Sequence, residues 1–158
     1  MTIHFGYDKK QVLQALRYHF LSRPEIKILI ILVNVSAIAA AVLYYLKKIE
    51  GFPFTIFSFL WISLMLVIWR ILPASIYKRA ETFKDNFSIR FEEEGVELSN
   101  ANGSKAWPWT AFSSFLESPY FFHLYFDARS FFLVPKEAFA DMSQLQAVRQ
   151  LIKEKISR

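Results

Sequence analysis

Residues 28–46 read ILIILVNVSAIAAAVLYYL, nineteen residues without a charge, with Asn34 and Ser36 as the only clearly polar side chains. About 20 apolar residues at 1.5 Å rise cross the ~30 Å hydrocarbon core of a bilayer. A second uncharged run, FPFTIFSFLWISLMLVIW, occupies residues 52–69 and is closed by Arg70 and Pro73. A core helix of a soluble protein keeps one polar face, whereas a spanning helix is apolar all round. The two runs therefore predict transmembrane spans at about 28–46 and 53–72. A cleaved signal sequence fits the first run less well, because it ends in Tyr44-Tyr45-Leu46-Lys47-Lys48, with aromatics where an interfacial belt belongs. The link Lys47-Lys48-Ile49-Glu50-Gly51 is short, so the spans form an antiparallel hairpin.

Outward from the hairpin, the charge is uneven. The whole chain of 158 residues carries +5, from 19 Lys+Arg against 14 Asp+Glu. Residues 1–27 carry +3, 28–72 carry +2, 73–86 carry +1 and 87–158 carry −1. The basic excess flanks the apolar half, which argues against nucleic acid as a partner, since that needs a basic face on the folded domain itself. Five basic residues precede the first span, four follow the second and two lie between them. The positive-inside rule then predicts both termini in the cytoplasm. Asn34 is expected to bond across the hairpin to Ser58 or Ser63, as uncharged polar groups in spans commonly do.

The segments bracketing the hairpin carry structure of their own. Thr2–Tyr7 alternates and predicts a short strand with the option of joining the C-terminal sheet. Asp8, with Gln11 three residues on, opens an amphipathic helix whose apolar positions are Val12, Leu13, Leu16 and Phe20. Its Lys9, Lys10 and Arg17, together with Lys78 and Arg79 beyond the second span, are candidate contacts to a lipid surface. The alternative is that this helix packs on the cytoplasmic domain. The chain thus divides into residues 1–25, a hairpin at 26–72, a connector at 73–86 and a domain at 87–158.

From Phe87 the period becomes two. Phe87–Phe91, Val96–Ser99, Lys105–Trp109, Phe112–Glu117, Tyr120–Phe126 and Phe131–Val134 predict six strands, with Asn102-Gly103 as a hairpin turn. Trp107 and Trp109 are expected on one face, with Pro108 marking an edge strand or bulge. Pro135–Phe139 predicts one turn of helix, and Asp141 with Gln144 opens a final helix with a stripe of Leu145, Val148, Ile152 and Ile156. The fold class is α+β: a two-helix membrane hairpin followed by a small pleckstrin-homology-like (PH-like) β-barrel capped by the C-terminal helix. Both faces of the later strands are aromatic, so the outward set is expected to meet the N-terminal helix, another copy or lipid.

Three blocks carry a resemblance: Phe87-Ser88-Ile89-Arg90-Phe91-Glu92-Glu93-Glu94-Gly95-Val96, Trp109-Thr110, and Leu133-Val134-Pro135-Lys136-Glu137-Ala138-Phe139. With the two spans they resemble the YcxB-like family of small bacterial membrane proteins, over nearly the full chain. The resemblance implies a PH-like C-terminal domain, with a Trp in its central strand, and location in the bacterial inner membrane. It brings no catalytic, metal or cofactor residues. Trp109, Pro135, Lys136 and Phe139 are its motif positions and read as structural: a core anchor, a strand end and a ring under the last helix.

No chemical constellation stands beside them. Cysteine is absent, His4, His19 and His123 lack partners at metal spacing, and the four Gly form no phosphate loop. The chain is therefore expected to be no enzyme and to need no cofactor. It reads as an anchored interaction or scaffold module with a lipid bilayer and a protein or second copy as partners. Anionic-headgroup sensing by the PH-like domain is the alternative.

Overall fold

The computed structural model describes residues 1–156. The chain forms two compact units, one of residues 1–15 with residue 81 onward, the other Leu16–Ala80. The first unit holds both sheets. β1 (Thr2–Phe5), β2 (Phe87–Phe91), β3 (Gly95–Asn100) and β4 (Gly103–Pro108) form one antiparallel sheet in that order. β5 (Ser114–Glu117), β6 (Phe121–Tyr125) and β7 (Phe131–Pro135) form a second. A last helix spans Met142–Ile156, after the helices of the other unit. The α+β class is as the sequence indicates.

The N-terminal alternation is indeed a strand, and it pairs with β2: Ile3 lies opposite Ile89 and Phe5 opposite Phe87. Inward residues of the first sheet (Ile3, Phe5, Ile89, Phe91, Val96) meet Phe122, Leu124 and Val134 of the second in one core. Leu145, Val148, Ile152 and Ile156 of the last helix, the expected stripe, close the same core. Asp141 Oδ1 accepts from the Gln144 N–H at 2.8 Å, which caps that helix. The two-residue turn Ala101–Asn102 joins β3 to β4, and Gly103 follows it at φ 146°, a conformation L side chains rarely adopt.

Two expectations change. Among the described residues no ladder joins β4 to β5 or β1 to β7, so the barrel is not closed. Pro108 cannot donate at the end of β4, and Trp109–Ala111 then turns as a 3₁₀ helix, which lifts the chain off that edge. Trp109 consequently leaves the strand that holds Trp107 and sits in neither a central nor an edge strand. The outward aromatic set of β6 also finds cover inside the chain. Phe121, His123 and Tyr125 are all buried. Tyr7 stacks on Phe121 at 6.3 Å, and its hydroxyl donates to the Leu133 carbonyl at 2.8 Å.

The second unit is helical. α1 (Lys9–Ser22) begins in the first unit and ends in this one; it buries Val12 and Leu16 of the expected stripe together with Ala15 and His19, and leaves Leu13 and Phe20 half-buried. α2 spans Pro24–Tyr45 and α3 spans Gly51–Leu66. A π-turn at Val67–Ile71 leads without a break into α4 (Leu72–Arg79), and the closing helix of the sheet unit is α5. Pro24–Tyr45 and Gly51–Arg79 are both long and apolar enough to cross a membrane, with 6% of the most apolar window of each buried. The connection between them is tight: Lys47 adopts φ 55°, and Tyr44 stacks on Phe54 at 4.8 Å.

Asn34 does bond across the hairpin, though to neither serine. Trp61 Nε1 donates to Asn34 Oδ1 at 3.2 Å, while Asn34 Nδ2 donates to the Ile30 carbonyl. Ser58 returns its hydroxyl to its own helix, to the Phe54 carbonyl at 2.9 Å. A hydroxyl on a helix finds the carbonyl four residues back without any ordering cost to the second helix.

Ile3→Ala in the full chain is expected to cost about 2–5 kcal/mol, read by chemical denaturation of the sheet unit in detergent; an unchanged midpoint would mean that β1 contributes nothing to the core. A double-mutant cycle of Asn34→Ala and Trp61→Phe in bilayers should return a coupling of about 0.6 to 2 kcal/mol.

Candidate functional site

Strand alternation sends one face of the β1–β4 sheet away from the core. Across that face the register aligns His4, Ser88, Ser99 and Ser104 in one row and Thr2, Arg90, Glu97 and Ala106 in the next. Small hydroxyls and one imidazole therefore line a polar strip on an otherwise aromatic unit. Ser99 donates its hydroxyl to the Ser88 carbonyl at 3.3 Å. Arg90 sits directly opposite Glu97 and pairs with it at 3.5 Å, and with Glu92 at 3.8 Å, both exposed contacts of small energetic weight. His4, Asn86, Ser88, Ser99 and Asn100 line an open groove at the end of this strip. Its chemistry is hydrogen bonding, through hydroxyls, amides and one imidazole.

The motif residues lie on the other side of the sheet unit. Trp109 is buried, and its indole Nε1 donates to the Glu92 carbonyl at 3.0 Å, tying the turn after β4 to the end of β2. Gly95 opens β3 opposite Pro108, and a Cβ there would strike the Trp107 backbone, so only glycine lets the β3–β4 edge close. Pro135 ends β7. The Lys136 N–H donates to the Tyr120 carbonyl at 2.8 Å, and Phe139 is buried, stacked on Phe91 and edge-on to Phe122.

Lys136 belongs to a cluster that sequence spacing does not reveal. Glu117 Oε1 lies 2.6 Å from Lys136 Nζ and 2.8 Å from the Arg149 guanidinium, whose Nε also donates to both carboxylate oxygens. Both cations lie over the Phe122 ring, at 5.3 and 5.8 Å. Three elements meet here, β5, the turn after β7 and α5. Burial by itself raises the Glu117 carboxyl. The hydrogen bonds and charges of Arg149 and Lys136 outweigh it, and hold the group below the usual carboxylate range. Positions 117, 136 and 149 are too far apart along the chain for any local pattern to join them.

A second lock was equally invisible. His123, fully buried in β6, shares a hydrogen bond of 2.9 Å with Ser118, whose hydroxyl also reaches the Phe121 carbonyl. The β5–β6 turn is thus held by side chains as well as by its ladder.

The five basic positions do not share one setting. Lys9 and Lys10 are exposed in the first turn of α1, where Gln11 donates from its side chain to Glu137 at 3.1 Å. Lys78 and Arg79 are in the last turn of α4, where cations suit the helix C-terminus. Arg17 is half-buried, and its Nε donates to the Trp69 carbonyl at 2.8 Å. Among the described residues no three His, Asp or Glu side chains converge as a metal site.

The native Glu117 carboxyl lies below its unfolded value, so it adds stability above about pH 4.3. That stability is lost as pH falls through the lower native value. Glu117→Gln is expected to lower the thermal midpoint at neutral pH and to flatten the acid limb of a midpoint-against-pH profile; an unchanged limb would remove the cluster from the acid response.

A family model described as YcxB-like protein matches residues 91–152. The match runs from the end of β2 into α5 and includes Trp109, Pro135, Lys136 and Phe139. It is narrower than the near-full-length resemblance read from the sequence, and leaves out β1, α1 and the apolar helices. No curated protein and no solved structure gives a significant match. On this match, the C-terminal region of the chain, residues 91–152, is YcxB-like.

Proposed function

We propose that this chain is a membrane-anchored, non-catalytic interaction module of the bacterial inner membrane. In this reading α2 and the α3–α4 helix cross the bilayer as a hairpin. A PH-like domain then stands at the cytoplasmic face, with seven strands in two sheets and one closing helix.

One observation carries the reading. β1 precedes the first apolar helix, β2 follows the second, and the two strands are paired over four residues. Paired strands lie on one side of any membrane, so the helices between them must cross an even number of times. The exposed apolar surface supports the same view. Of the 25 large hydrophobic residues exposed among the described residues, 21 lie between Ile28 and Ile71. Water does not favour such a surface, and lipid does.

The polar strip and its groove are the face this reading offers to a protein partner or second copy, because the aromatic face of β6 is already covered. Headgroup sensing by the PH-like domain is less well supported. It calls for clustered cations, and Arg90, Lys136 and Arg149 are held in ion pairs with Glu97 and Glu117.

The absence of cysteine makes the test clean. An impermeant maleimide should label Lys48→Cys in intact spheroplasts and leave Asn102→Cys unlabelled until lysis. Equal labelling of both would overturn the topology. A photo-crosslinker at Ser99 should capture a partner or second copy in cells that one at Gln150 does not; identical patterns would remove the strip as the docking face.

A further inference from the structure

We infer that Arg17 is a latch on a helix opened by proline, and that this one hydrogen bond holds the end of α1 to the end of the second apolar helix. The argument begins with Pro73. It lacks an N–H, so the carbonyl four residues back, on Trp69, loses its α-helical donor. The ring would also collide with that carbonyl in a regular helix. The chain meets this with the π-turn at Val67–Ile71, in which the Leu72 N–H reaches back to the Val67 carbonyl. Pro73 itself is buried.

On the reading of these helices as membrane spans, the exposed Trp69 carbonyl faces lipid, where a backbone group without a donor is costly. Arg17 supplies it through Nε at 2.8 Å. Its guanidinium also lies over the Trp69 ring, 5.9 Å from the centroid. The same residue is therefore donor to the backbone and cation to the side chain of Trp69. In this inference the hold on α1 is conditional: Pro73, which has no N–H, withholds the α-helical donor that would otherwise reach that carbonyl.

The test is a double-mutant cycle in the full chain, reconstituted in phosphatidylcholine nanodiscs, with a spin label on Tyr18→Cys. With Pro73 present, Arg17→Ala should mobilise the label and lower the thermal midpoint by roughly 2–8 °C. Pro73→Ala gives Trp69 an intrahelical donor, so it should mobilise the label alone. Adding Arg17→Ala to it should then change neither readout further. Equal losses from Arg17→Ala with Pro73 present and with Pro73 replaced would overturn the latch, since Arg17 would then act by charge alone. Salt gives a second readout that needs no Pro73 variant. A latch made to a backbone carbonyl keeps the label immobile from low to high salt, whereas release by salt would assign Arg17 to a lipid phosphate and overturn it.

Discussion

The pairing of β1 with β2 is the constraint on which the rest depends. Four residue pairs join a strand at Thr2–Phe5 to one at Phe87–Phe91, and everything between them, both apolar helices included, is an insertion in that ladder. Ile3 and Phe5 supply part of the core, and Tyr7, just beyond them, reaches the second sheet through Phe121 and Leu133. The chain passes between the sheet unit and the helical unit twice, after α1 begins and again near Ala80.

Backbone satisfaction explains how the helical unit tolerates its irregularities. Asn34 and Ser58 both return a hydrogen bond to a carbonyl of their own helix, which leaves Asn34 Oδ1 to receive Trp61 from the other. Pro73 and the π-turn would leave a carbonyl without a donor, and a side chain from a third helix answers it. In each case the polar group that looks out of place in an apolar run has a named partner.

Much of this was legible in the residues. Two charge-free runs announced the apolar helices, and the stripe of Leu145, Val148, Ile152 and Ile156 is the buried face of α5. The Thr2–Tyr7 alternation announced β1, because period two survives even in a four-residue strand. What failed did so for both local and tertiary reasons. Trp109 keeps the parity of Trp107, but Pro108 ends the strand before it. Ser58 gives its hydroxyl to its own helix, so the indole of Trp61 is the group that crosses to Asn34. Val12 and Leu16 of the α1 stripe are buried as expected, but Ala15 and His19 join them where Leu13 and Phe20 were expected to. The Glu117, Lys136 and Arg149 cluster joins residues up to 32 positions apart, and no period reports such a contact.

The inserted hairpin also orders the making of the protein. β1 emerges first from the ribosome and cannot pair until β2 follows, after both apolar helices have been synthesised. At an elongation rate of about 5–20 residues per second, the strand waits several seconds without its partner. Its two inward residues, Ile3 and Phe5, are apolar, yet so short a strand is a poor template for mispairing. The β1–β2 ladder therefore forms only once both apolar helices have been made, and the core is complete only after α5, the last element, has followed.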